Sequence, residues 1–158
     1  MIASGPPRQE AGFAFPLTLF ALTVMALLTA ALAGVTSAEL ESGRLWEWDR
    51  RALYAAEAGV EHQLFQLKRD RLAGPVGLVS LGGTPLDVRY VVGLAPAGPG
   101  GICTADPGAD ESWWEVTSRG QLWQGASLVH ERRVTALVEI RYAVLVPLHV
   151  TVCRWSLD

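Results

Sequence analysis

At 158 residues, half of them hydrophobic and with a formal net charge of −3, the chain has room for one globular domain and an appendage, not for two full domains. The slightly acidic balance gives no general reason to expect nucleic-acid binding, which normally needs a basic surplus or a clustered basic stripe. The hydrophobic residues are concentrated rather than spread, and that concentration sets the class.

Met1 to Gly12 is polar, rich in Gly and Pro, and carries one Arg and one Glu. Residues 1–12 read as a leader and not as a folded element. Phe13 to Val35 then runs 23 residues without a charge. As a helix it is roughly 34 Å long, enough to cross a hydrocarbon core of about 30 Å. Arg8 precedes this span, and Glu39 and Glu41 follow it, so the positive-inside bias puts the N-terminus in the cytoplasm and the rest of the chain outside. A cleavable secretory signal is a rival reading, because small-residue cleavage patterns occur at Ala31-Leu32-Ala33 and Thr36-Ser37-Ala38. Against it stand a single Arg beside an acidic residue and an apolar run longer than an ordinary signal core of about 7 to 15 residues. A plain uncleaved anchor is the second rival.

Beyond Val35 the pattern becomes amphipathic. Leu53, Ala56, Val60, Leu64 and Leu67 recur at steps of three and four, with Arg50, Arg51, Glu57, Glu61 and Lys68 between them, so residues 36–73 read as an amphipathic continuation of one helix. Leu72-Ala73-Gly74-Pro75 supplies the stop, with Gly74 suited to a left-handed cap and Pro75 unable to continue. A helix from Phe13 to about Leu72 would reach about 90 Å. The rest of the chain cannot bury that length, so part of it faces lipid or other subunits.

Residues 74–158 change period. Leu86 to Leu94 alternates Val88, Tyr90 and Val92 with Asp87, Arg89 and Val91, which predicts a strand. Trp114 to Ser118 is a second candidate, and Leu128 to Val146 contains a long β-branched run. In that run Val134, Ala136, Val138 and Ile140 line one face; Arg133, Thr135, Glu139 and Arg141 lie on the other, and Leu137 disturbs the alternation. Ser118-Arg119-Gly120 and Gln124-Gly125-Ala126 are turn candidates. The expected fold is α+β: a long N-terminal helix packed at its C-terminal half against a small antiparallel sheet. Ala95 to Ser112, rich in Pro and Gly, is expected to be an exposed loop. It holds Cys103, while Cys153 lies near the end of the chain. Both cysteines fall on the same side of any membrane; if that side is extracytoplasmic a disulfide follows, the alternative being two buried free thiols.

Chemistry is not signalled. There is no nucleophile elbow, phosphate-binding loop or close pair of metal ligands, and His62, His130 and His149 are isolated, with His62 expected on the exposed side of the helix. No catalytic residue, cofactor or metal is therefore assigned. Glu57 and Glu61 read as a solvated helix face. Trp46 and Trp48 follow the span, where aromatic residues favour a membrane interface or a filament contact. Trp113, Trp114, Trp123 and Trp155 read mainly as core. An exposed Trp near Arg119 or Arg132 would instead suit a sugar, a base or a partner protein.

Gly12-Phe13-Ala14-Phe15-Pro16-Leu17, a polar leader ending in Gly followed at once by Phe and a long apolar helix, resembles the class III signal of type IV pilins and type II secretion pseudopilins. The resemblance implies cleavage after Gly12 by a prepilin peptidase, N-methylation of Phe13, and assembly through Phe13, Phe15, Leu17 and Phe20. Arg51 to Glu61, with its Ala-Ala-Glu-Ala-Gly core, resembles PilX-type minor pilins and K-type pseudopilins. Most major pilins place a Glu fifth in the mature chain; counting from Phe13 this position is Leu17, a departure that points to a minor subunit. The implied partners are other pilin or pseudopilin subunits, the prepilin peptidase, the inner-membrane assembly platform and membrane lipid. The implied location is the bacterial inner membrane, single-pass, then a surface pilus or periplasmic pseudopilus. In many pilins a disulfide encloses a variable C-terminal region, which implies that role for Cys103 and Cys153. Two functional alternatives stand beside this one: a secreted or membrane-anchored binding module, and a DNA-uptake minor pilin if the head exposes an Arg and Trp patch.

Overall fold

Alanine and leucine dominate residues 14 to 69, and the only proline, Pro16, sits in the first turn, where its missing N–H costs nothing. In the computed structural model, which describes residues 14–105, 110–143 and 146–158, this stretch is one helix, α1, Ala14–Arg69. The expected stop acts by a different device. Gly74 is not left-handed; instead Asp70 ends the helix, its carboxylate accepting the Leu72 N–H at 2.9 Å and its carbonyl the Ala73 N–H at 3.0 Å. Asp competes with the helix ladder for neighbouring N–H groups, so it terminates one turn before the glycine.

Five strands follow: β1 Gly77–Gly82, β2 Asp87–Pro96, β3 Asp110–Gln124, β4 Ser127–Ala143 and β5 Val146–Leu157. They form an antiparallel meander in the order β1-β2-β3-β4-β5. The chain falls into two units, Met1–Arg44 and Leu45–Asp158.

In the C-terminal unit one side of the sheet packs on α1. Tyr90 and Val92 of β2, Val116 of β3, and Val134, Ala136, Val138 and Ile140 of β4 are buried against Ala56, Val60 and Leu67. The expected inward residues of β2 and β4 are thus the observed ones. Leu53 and Leu64 are only half-buried, because the stripe runs through Ala52, Ala55, Ala56, Gly59, Val60, Gln63 and Leu67.

The small residues in that stripe set how close the helix comes. A Cβ on Gly120 would collide with the Ala52 carbonyl oxygen and lie 2.5 Å from the Ala56 nitrogen; one on Gly59 would collide with Ser118 Oγ and lie 3.0 Å from the Tyr90 ring. Gly120 is therefore not in a turn. Ser118, Arg119 and Gly120 all lie inside β3, paired with Val134, Arg133 and Arg132 of β4. The turn expected at Gly125-Ala126 does join β3 to β4.

Candidate functional site: the apolar helix segment and the disulfide-tethered loop

In the first unit the described helix carries no charge before Glu39. Its large apolar side chains are exposed: Phe15 is 76% accessible, Leu17 62% and Phe20 68%. Every hydroxyl between Ala14 and Ala38 is turned back onto the helix, Thr18 donating to the Phe15 carbonyl at 2.8 Å, Thr29 to Met25 at 2.8 Å, Thr36 to Leu32 at 3.0 Å and Ser37 to Gly34 at 2.9 Å, with Thr23 bonded to both Leu19 and Phe20. Such back-bonding satisfies each polar group within its own segment, which is what a hydrocarbon surrounding demands. By length and composition this helix can cross a membrane. Gly12 and Phe13, the expected cleavage and methylation residues, lie outside the described residues.

In the second unit Cys103 and Cys153 are joined in a disulfide across 5.3 Å between Cα atoms. The loop after β2 is bound to β5 by more than this bond. The Ile102 N–H donates to the Cys153 carbonyl at 3.1 Å, and Gly101, with φ near 68°, passes so close that a Cβ there would come 2.9 Å from the Cys153 carbonyl carbon. Gly100 packs toward Leu137, where a Cβ would meet Cδ2 at 3.3 Å. This is why Leu137 interrupts the β4 alternation: the loop covers it on the side of the sheet opposite α1. Glu139 is buried on that same side and is paired with Arg141, which also reaches Glu111 at 3.3 Å. Cys103, Glu139 and Cys153 bring metal-ligating atoms within 4.8 Å of one another, but the two sulfurs are spent on each other, and a disulfide sulfur is not the thiolate a metal ion requires.

Two of the histidines, His62 and His130, are held by contacts within the fold, whereas His149 is exposed. His62 faces the sheet, a correction to its expected exposure: Tyr90 on β2 draws it in, with the Tyr90 hydroxyl 2.7 Å from Nδ1 and Gln66 Nε2 3.3 Å from Nε2. Burial pushes the Tyr90 hydroxyl above its ordinary pKa. His130 on β4 meets Asp49 of α1 at 3.0 Å, and Arg132 binds the same carboxylate oxygen. The Arg132 hydrogen bond, aided by His130, holds the Asp49 carboxyl below its usual pKa. Arg132 is thereby engaged, whereas Arg119 is exposed.

Sequence reasoning missed Gln63, which is fully buried in the apolar stripe. Its amide donates to the Gly74 carbonyl at 3.1 Å and accepts the Val76 N–H at 2.8 Å, clamping the connection between α1 and β1. It missed β1 as well, for which Leu78-Val79-Ser80-Leu81 was the available signal. Trp48 and Trp114 pack on buried clusters, while Trp46 remains exposed beneath the Arg50 guanidinium, 4.5 Å from its ring centre. No protein-family model, no curated protein and no solved structure matches the chain.

Proposed function

We propose that the protein is a structural minor subunit of a type IV pilus-like filament or a type II secretion pseudopilus, anchored before assembly by the apolar part of α1. In this reading residues 1–12 are a leader removed by a prepilin peptidase, Phe13 becomes the new N-terminus, and the C-terminal unit lies on the extracytoplasmic side. The observation that carries it is a single helix with two surfaces. From Phe15 to Val35 its apolar side chains are exposed and its hydroxyls are self-satisfied, while from Ala52 to Leu67 it supplies the stripe that the sheet packs on.

Assembly then exchanges lipid contacts of Phe15, Leu17 and Phe20 for contacts with neighbouring helices. Because lipid tails are as apolar as these side chains, the gain comes from packing and not from leaving water. Leu17 places no carboxylate in that apolar setting, so no buried charge needs a partner there. The disulfide fits an oxidising compartment.

The test is recovery of the chain in sheared filament or pseudopilus fractions. The reading expects recovery from wild-type cells and loss of recovery, with retention in the inner membrane, for Gly12→Asp. Equal recovery of both chains, or recovery of the wild type only from the culture medium as a soluble protein, contradicts it.

A further inference from the structure

Among the described residues, arginines are engaged almost without exception, by a carboxylate as in Arg89 with Asp87 and Arg132 with Asp49, or by a ring as in Arg50 on Trp46. Arg119 and Arg133 are the exception: both are exposed, and neither guanidinium has an ion pair, hydrogen bond or ring contact. They are also directly opposite each other in the β3 to β4 register. Arg133 spends both of its backbone groups on Asp158, at 3.2 and 3.0 Å. Its pairing with Arg119 is therefore of the non-hydrogen-bonded kind, in which facing Cα atoms stand about 4.5 Å apart and side chains are closest. Like charges placed so are destabilising.

No carboxylate contacts either guanidinium, although Glu131 and Asp158 stand close enough to offset part of their charge. Glu131, one rung away, accepts the Gln121 amide at 2.7 Å, and Asp158 forms no ion pair with Arg133 despite the backbone bonds between them. On the other flanking rung Thr117 stands opposite Thr135, both half-buried, and Gly93 continues that rung without a side chain. By the alternation of strands, all these groups lie on the side of the sheet away from α1.

We propose that Arg119 and Arg133 form a binding site for one tetrahedral oxyanion, a phosphate or sulfate group, with the Thr117 and Thr135 hydroxyls as additional donors. Two planar guanidinium forks on adjacent strands match the several oxygens of such a group and cancel its double charge. The inference rests on the sheet alone and is independent of the filament reading. A free ion and the ester end of a larger ligand present the same chemistry.

The experiment uses the full chain in non-ionic detergent micelles and follows arginine side-chain Nε–Hε NMR signals. Inorganic phosphate and methyl phosphate are added separately, with ionic strength held constant by sodium chloride. The site predicts saturable shifts confined to Arg119 and Arg133. Equal shifts with both probes assign recognition to the phosphoryl group, free or esterified; shifts with inorganic phosphate alone assign it to the free ion. Arg119→Gln, at an exposed position, should weaken binding at Arg133 at least tenfold while the remaining spectrum is unchanged, and Arg119→Lys should retain part of it. Absence of saturation, shifts spread evenly over all arginines, or full binding in Arg119→Gln overturns the proposal.

Discussion

Gly120 of β3 lies against the backbone of Ala52 in α1, so closely that a methyl group on Gly120 would collide with the Ala52 carbonyl oxygen. Backbone cannot yield as a flexible side chain does. Gly120→Ala should therefore destabilise the C-terminal unit by about 1 to 3 kcal/mol or more, the range for forcing extra atoms into a packed interface. Gly93→Ala is the control: its Cβ would meet nothing nearer than 3.8 Å, and thermal melting should be almost unchanged.

Gln63 is the polar residue on which the turn into β1 depends. Gln63→Leu keeps the size but leaves the Val76 N–H and the Gly74 carbonyl without the partners they now have. Gly74 is exposed and Val76 half-buried, so water replaces part of what is lost, and the cost is about 1 kcal/mol, the low end for a polar group left unpaired. The expected result is a lower melting temperature and faster hydrogen exchange at Val76, with exchange at the β3 and β4 core little altered.

The Cys103–Cys153 bond closes a sequence separation of 50 residues. On the chain-entropy model a loop of that size stabilises by about 4 kcal/mol. The double variant Cys103→Ser, Cys153→Ser should unfold at correspondingly lower denaturant. Limited proteolysis should then cut between Ala97 and Ala105 first, because the loop that covers Leu137 is no longer tethered to β5.

Asp49 makes stability depend on acidity. Its folded pKa is depressed from 3.8, chiefly by the Arg132 hydrogen bond, with burial opposing and His130 assisting. A carboxyl so shifted stabilises fully above its unfolded pKa, and that contribution is lost as pH falls through the lower folded value. Asp49→Asn should therefore melt below the wild type at pH 7. The two melting curves should converge as the pH is brought below about 4, the ordinary range of an aspartate.

Much of this architecture was legible where burial and hydrophobicity coincide. Ala56, Val60 and Leu67 sit on the helical stripe their spacing predicts, and Val134, Ala136, Val138 and Ile140 share one face of β4. Reading failed where a residue answers to a distant element. Gly120 carries the local signature of a turn, yet it is a glycine because α1 passes over it. Gln63 looks like the polar side of the helix, and only the fold brings Gly74 and Val76 back to it. His62 is drawn from solvent by Tyr90, 28 positions later. Leu137 broke a two-residue period because the disulfide-bound loop provides a second covered face. At the apolar segment the legible part was its length and lack of charge. The return of each hydroxyl to its own helix depends on side-chain rotamers, which the residue pattern does not specify.

The most direct test of the filament reading is intact mass with N-terminal sequencing of the protein from native membranes. The account predicts a methylated chain beginning at Phe13. A chain beginning at Gly34 or Glu39 would mark ordinary signal-peptide removal and contradict it, as would an intact Met1 terminus.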